Sequence, residues 1–396
     1  MFKSKKESLT LLYDIGTGSV GAALARFPEG KNPEILKTAR KPIKFYGSPS
    51  SIRIELSMIN AIEAVSSDLQ KFLKTKDAEI EDIYCVLSSL WHISQTKIIK
   101  IEEKEPIAVT KELVKKSVES EEKYFRAMSA RNYSAGDAEG LQIVEKDITQ
   151  IKLNGYETIK PYGKIVKFVE IVLFLSAASK NTADDIINAI SRFFHVEDVK
   201  FQTFSHISAS SLMDIHSGLR DFIFMDISGE MTDIAIIKDD ILVEALSFPF
   251  GKNNIVREVA EKLRSNEADA LSKIIIHKSG AFDSKTDSII SAVIFGSMKK
   301  WQEMFKNIFF KASGTISMPK KIFFMSDEDV ENLMADFIKS YRIDETENLG
   351  DMVNVEFINN DFLKGYVDYM VAVKRDPFLS IETIFLNKLK TSVQKT

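Results

Sequence analysis

Two copies of one short pattern, 212 residues apart from Asp14 to Asp226, constrain this 396-residue chain more than any other feature. The first is Asp14-Ile15-Gly16-Thr17-Gly18-Ser19-Val20; the second is Asp226-Ile227-Ser228-Gly229-Glu230-Met231-Thr232-Asp233. Each follows a short apolar run (Leu11 to Tyr13; Phe222 to Met225) and precedes another (Val20 to Leu24; Ile234 to Ile237), so each reads as strand, tight glycine turn, strand. Glycine lets turn backbone approach an oxyanion closely, while Ser and Thr hydroxyls and turn N–H groups donate hydrogen bonds to it. An Asp at each strand end suits a hydrated Mg2+. One such turn alone is an ordinary β-turn; two at domain-scale spacing predict a duplicated α/β fold gripping the phosphates of one nucleotide from both sides.

A third element follows the second turn: Phe250-Gly251-Lys252 opening a segment with Ile255, Val259, Ala260 and Leu263 at helical spacing, then Glu267-Ala268-Asp269-Ala270-Leu271-Ser272-Lys273. Here the chain resembles the bacterial actin-like ATPases of the FtsA and PilM group, which carry a Gly-started helix and a short E-A-x-x-L-K helix after their second phosphate hairpin. Leu153 to Thr158, Pro161-Tyr162-Gly163-Lys164 and the strand Val166 to Leu175 resemble the end of the extra subdomain that distinguishes this group from actin and the heat-shock chaperones. Gln202 to Ser211 resembles the stretch leading to the connecting helix. The match spans most of residues 9–363, and the order of its elements is more specific than any one of them.

The resemblance implies an actin-like, ribonuclease H-like duplicated α/β fold, two halves around a nucleotide cleft with an inserted FtsA-type subdomain. Residues 8–90, 176–220 and 364–376 are then expected to form the first half, 91–175 the inserted interaction subdomain, 221–250 and 320–363 the second half, 251–319 its small helical subdomain, and 377–396 a C-terminal amphipathic helix. It also implies ATP and Mg2+ as cofactors, at most with slow hydrolysis. Asp14 and Asp226 would organise Mg2+ through water, and Gly16, Thr17, Gly18, Ser19, Gly229, Thr232 and Gly251 would hold the nucleotide.

Two departures weaken that expectation. The group has a strand, a Gly-Gly turn and a helix where residues 320–363 lie, the glycines making room for adenine and ribose. Here the strand Lys321 to Met325 runs into Ser326-Asp327-Glu328-Asp329 and a helix from Val330 to Lys339, which brings Cβ atoms and negative charge instead. The second turn has Ser228, Glu230 and Met231 where the group usually has Gly, Gly and Thr, and Glu230 would repel a triphosphate unless Mg2+ lay between them. Read without a ligand, residues 326–329 are an acidic helix N-terminus favourable to the macrodipole.

Periodicity supplies the coarse elements. Leu56, Ile59, Ile62, Val65, Leu69 and Phe72 predict an amphipathic helix over 54–73, and Ile80 to Leu87 a strand. The insertion reads as a strand from Thr96 to Ile101, a helix from Thr110 to Phe125 capped by Thr110, a polar loop over 129–140, and strands Leu141 to Lys152 and Ile165 to Leu175. Helices are expected over 182–194 and 362–373.

Composition narrows the function. A net charge of −4 gives no electrostatic case for nucleic-acid binding. The one cysteine, Cys85, lies in an apolar run, so no disulfide framework exists and a cytoplasmic location is expected. His92, His195, His206, His216 and His277 fall in no metal-binding spacing, and neither a Walker loop nor a nucleophile elbow is present. No run reaches the roughly 18 apolar residues of a membrane span, and the basic Met1 to Lys6 is not followed by a signal-peptide pattern.

Near the C-terminus, Phe378, Ile381, Phe385, Leu389 and Val393 form an apolar stripe beside Lys388, Lys390 and Lys395. Such a helix either lies in an anionic membrane interface, as the tail of FtsA does, or packs on its own domain. The expected role is an FtsA- or PilM-like scaffold at the inner face of the cell membrane, linking a division or type IV pilus/secretion machine to cytoplasmic protein partners and able to self-assemble into filaments. A nucleotide-free pseudo-ATPase and a small-molecule kinase are the alternatives.

Overall fold

Each half of the molecule is organised around its glycine hairpin. The computed structural model describes residues 7–44, 51–132, 140–195, 198–277, 283–313, 319–340 and 354–393. The first half begins with β1 (Glu7–Ile15), β2 (Ser19–Arg26) and β3 (Glu34–Pro42), then α1 (Ser51–Leu73) and β4 (Ala78–Leu87). An insertion follows, with β5 (Ile93–Ala108), α2 (Lys111–Asn132), β6 (Leu141–Leu153), β7 (Tyr156–Glu157) and β8 (Ile165–Ser179). The chain returns through α3 (Lys180–Phe194), β9 (Lys200–Thr203) and α4 (Phe204–Ile215). The second half has β10 (Phe222–Ile227), β11 (Thr232–Lys238), β12 (Ile241–Phe248), α5 (Lys252–Leu263), α6 (Glu267–Ile275), α7 (Ser284–Ser313), β13 (Lys321–Ser326), α8 (Glu331–Lys339) and β14 (Asn354–Phe357). A short β15 (Asp368–Tyr369) and α9 (Pro377–Val393) end the described chain.

The duplication is explicit in the strand order. The first sheet runs β15-β3-β2-β1-β4-β9 and the second β12-β11-β10-β13-β14. In both, the hairpin strands pair antiparallel, closing on Ile15↔Val20 and on Ile227↔Thr232, and the first hairpin strand pairs parallel with the strand beyond a helical crossover, β4 or β13. Strands covered on both faces read as continuous apolar runs, which is why β1 and β10 show no alternation. The insertion is a separate sheet, β5-β8-β6-β7, with α2 on one face and its own core around Val114, Phe125, Val169 and Leu173. Thr110 caps α2 as expected, its Oγ1 accepting from the Leu113 N–H at 3.1 Å.

Three larger cores hold the halves. One packs β1 and β4 against α1 and α3 through Met58, Ile62, Val65, Ile186 and Ile190. A second packs β10 and β13 against the helices from 252 to 339, around Trp301. The third contains residues of both sheets, α4 and α9: Leu12, Phe204, Phe224, Phe323, Leu379, Ile381 and Leu386.

That third core decides between the two readings of the tail, against the membrane-contact one. Phe378, Ile381 and Phe385 are buried and Leu389 packs against the same cluster, so the stripe is covered by protein; Val393's side chain lies outside the described residues. Among the described residues no helix is long and apolar enough to cross a membrane. Residues 362–373, expected to be helical, form turns and the short β15, interrupted at Gly365 (φ +98°) and at Ala372, also left-handed. Helix α2 continues to Asn132, beyond the expected break at 129, and the remainder of that loop, 133–139, lies outside the described residues.

Candidate functional site

The structure brings the two glycine turns face to face at the junction of the halves. Asp14, Gly16, Gly18, Ser19 and Asp226 line one cavity together with Arg40, Ser88, Ser228, Asp327 and Phe378. Thr17 and Gly229 join the two turns beside it: Thr17 Oγ1 accepts the Glu230 N–H at 2.9 Å across the junction. A Cβ placed on Gly229 would lie 2.3 Å from Gly18 N, and one on Gly18 2.9 Å from the Gly229 Cα. The glycines therefore serve backbone-to-backbone contact between the halves, the same property that sequence reading assigned to a phosphate.

Thr232 and Gly251 sit behind the junction. Thr232 Oγ1 donates to the Phe250 carbonyl at 2.7 Å and accepts from Trp301 Nε1 at 3.0 Å, so it fixes the second hairpin to its core. Gly251 caps α5, and a Cβ there would lie 2.1 Å from the Ser228 oxygen. The α5 N–H groups of Lys252 and Asn253 are spent on the carbonyls of Ser228 and Gly229, both at 2.9 Å.

The charged groups are paired as well. Arg40, from β3, donates to Asp14 Oδ2 (2.7 Å), Ser19 Oγ (2.8 Å) and both carboxylate oxygens of Asp376 (2.6 and 3.0 Å). Glu230 accepts two bonds from Arg257 and one from Asn253. Lys252 bridges Asp327 (2.6 Å) and Asp329 (3.2 Å) where adenine was expected. Burial pushes the Asp14 carboxyl up to about 6 against the lowering pull of Arg40, and likewise lifts Asp233 to about 6. Asp226 is held well above the usual range, first by burial and then by Asp233 and Asp14. Glu382, on α9, is held well above its range by burial, with neither oxygen bonded to protein. Since these native values are raised, folding loses stability as pH climbs from the ordinary 3.8 through about 6.

This arrangement does not fit a magnesium-bound triphosphate. The cavity is about 10 Å3, near the minimum for a single water. Of the residues that line the cavity, Asp226 keeps a buried oxygen, Oδ1, with no protein partner, but Asp14 is already paired with Arg40 and Ser19 already engaged. Among the described residues no group of three or more His, Cys, Asp or Glu side chains is arranged to hold a metal ion. Sequence reasoning missed Arg40, Asp376 and Glu382. The only local signal was Asp376-Pro377, which reads as a helix start.

A second polar constellation joins the insertion to the first half. Glu145 of β6 is buried, accepts from Thr203 N and Oγ1 (2.9 and 2.6 Å), and contacts His206 Nδ1 at 2.6 Å. The His206 ring stacks on Phe174, 4.6 Å between centroids. Burial lowers its pKa, but Glu145 and Asp147 outweigh that and Lys388, and the imidazole is raised above 6.5. The stabilisation is thus complete below pH 6.5 and lost as pH rises through the raised value. Urea midpoints measured from about pH 6 to about pH 9 are expected to fall, and His206→Gln to flatten the dependence.

No family model matches the chain, and no curated protein matches it in sequence. Solved structures do. The PilM–PilN type IV pilus biogenesis complex overlaps 97% of this chain and 98% of its own at 13% identity, with a TM-score of 0.60. MreB5 of Spiroplasma citri bound to ADP (10% identity, 98% and 99% covered) and the ethanolamine utilization protein EutJ from Carboxydothermus hydrogenoformans (11%, 96% and 89%) give TM-scores of 0.45 and 0.43. With the duplicated strand order, the paired hairpins and the chain-long overlap with the PilM–PilN structure, the molecule has the fold of the actin-like ATPases, in a form similar to PilM.

Proposed function

We propose that the chain is an actin-fold scaffold for a membrane-associated machine of the type IV pilus biogenesis kind, working through protein contacts and not through ATP turnover. The observation that carries this reading is a groove of about 630 Å3 between the insertion and the first half, lined by Gln142, Val144, Lys146, Tyr84, Lys200 and Gln202. Two sheet edges flank it: among the described residues β9 ends the first sheet, and β6 has no strand partner on its outer side before residue 152. Unpaired N–H and C=O groups on such edges accept an added extended segment, with neighbouring pockets reading its side chains. The groove suits a linear segment of a partner, including one anchored in a membrane. Recruitment to the inner face of the membrane then comes from that partner, since the tail stripe is occupied in the core.

Photo-crosslinkers placed at Gln142 and Gln202 are expected to capture a membrane-anchored protein in cells, and one at the exposed Lys262 is not. Purified protein from the same preparation is expected to consume no ATP. Equal capture from all three positions, or steady ATP turnover, overturns the reading.

A further inference from the structure

We propose that Arg40 is the resident cation of the cleft, taking the place a divalent metal would have at Asp14 and fastening the tail segment to the first hairpin. The inference rests on the reading of the cleft as degenerate, and not on the groove. Three observations carry it. The guanidinium packs against Gly21 of β2, where a Cβ would meet its Nη2 at 2.5 Å, so the hairpin is shaped to receive it. Its donors take the free oxygen of Asp14, the hydroxyl of Ser19 and both oxygens of Asp376, a fork-shaped match that a lysine ammonium cannot make. Asp376 is fixed in turn: its Oδ1 accepts the N–H groups of Phe378 and Leu379 at the start of α9, and the Phe378 ring lies 5.3 Å from the guanidinium carbon.

Surrounding bonds hold the same segment down. Thr38 Oγ1 donates to the Lys374 carbonyl at 2.8 Å, and the Tyr369 hydroxyl bonds the Asp376 backbone and Ser380 Oγ. A metal ion at Asp14 would therefore have to displace a fixed positive charge anchored from three sides. The cleft is bridged by its own side chains.

The test uses the purified full chain with Mg2+ alone and with Mg-ATP. Wild type is expected to keep its Tm within about 1 °C up to about 10 mM of either probe, and peptides covering both hairpins to resist hydrogen exchange without ligand. Arg40→Gln, which leaves Asp14 uncompensated, is expected to gain a Mg2+-dependent Tm rise of about 3 °C or more, and Arg40→Gln/Asp14→Asn to lose that gain. A wild type stabilised by Mg2+ as much as the variant, or a folded variant indifferent to Mg2+, overturns the proposal. If Arg40→Gln does not fold, the wild-type exchange decides: hairpins that exchange rapidly and become protected only with Mg-ATP overturn it, and hairpins protected alone support it. Either result leaves the crosslinks from the groove unchanged, so the two readings fail separately.

Discussion

Truncation after Asp376 is expected to abolish the folded state, and Ile381→Ala to cost about 2 to 5 kcal/mol, measured as a drop in the urea midpoint. Leu379, Ile381 and Leu386 are fully buried, and they share a core with Phe224 and Phe323 of the second half as well as Leu12 of the first. Removing the helix would uncover β1, β2 and the face of α4, the helix that also packs on the second sheet. Against a total stability of about 5 to 15 kcal/mol, that loss exceeds what a domain of this size can absorb. Phe385→Glu belongs to the same class, because it removes a ring packed against His206 and in the shared core and puts a carboxylate in its place; about 3 to 5 kcal/mol is expected. A truncated protein that stays folded, with unchanged near-UV circular dichroism, would show that α9 is a detachable tail after all.

Gly251→Ala and Gly229→Ala are expected to cost about 3 kcal/mol each by overpacking, with different signatures. At Gly251 the added methyl meets the Ser228 and Gly229 oxygens at 2.1 and 2.4 Å, both within the second half, so the α5 N-terminus must detach and the unfolding midpoint fall. At Gly229 the methyl meets Gly18 N and Cα and the Thr17 carbonyl carbon of the opposite half. There the halves relieve the clash by separating, and hydrogen exchange should rise in both hairpins while the cores around Trp301 and Met58 stay protected. Exchange confined to the second half in the Gly229 variant would mean that the hairpins do not press on one another in solution.

The contrast between what sequence reading found and what it missed has a physical basis. The hairpins, α1 and α3 were legible because glycine turns and a 3.6-residue period are local signals. The tail stripe was legible as a helix, but its cover was left open between membrane and protein, because spacing records which side is apolar and not what covers it; here the cover is α4 with the strands β1 and β2, more than 160 residues earlier. Arg40 was invisible for the same reason. It reaches Asp14 across 26 residues and Asp376 across 336, and nothing in the run Lys37-Thr38-Ala39-Arg40-Lys41 distinguishes it from a solvated strand face. The segment 362–373 misled because Phe362, Tyr366 and Val373 imitate helical spacing; the chain instead leaves the helical region at Gly365 and Ala372. Thr17, Gly18 and Gly229 were found as a constellation, and in the structure they meet across the junction, Thr17 through its hydroxyl and the glycines through their backbones.

The shared core also sets the order in which this chain can mature on the ribosome. Arg40 emerges 336 residues before Asp376, a gap that translation at about 5 to 20 residues per second fills in roughly 20 to 60 seconds. Through that interval β1 and β2, and later α4, stand bare on the faces that α9 will cover, while the remaining strands of the first sheet, β4, β9 and β15, are still being added. Long-range contacts of this kind form slowly and leave apolar strand faces exposed meanwhile. Nascent chains of this protein should therefore be bound by chaperones until α9 clears the exit tunnel, and release should coincide with its docking.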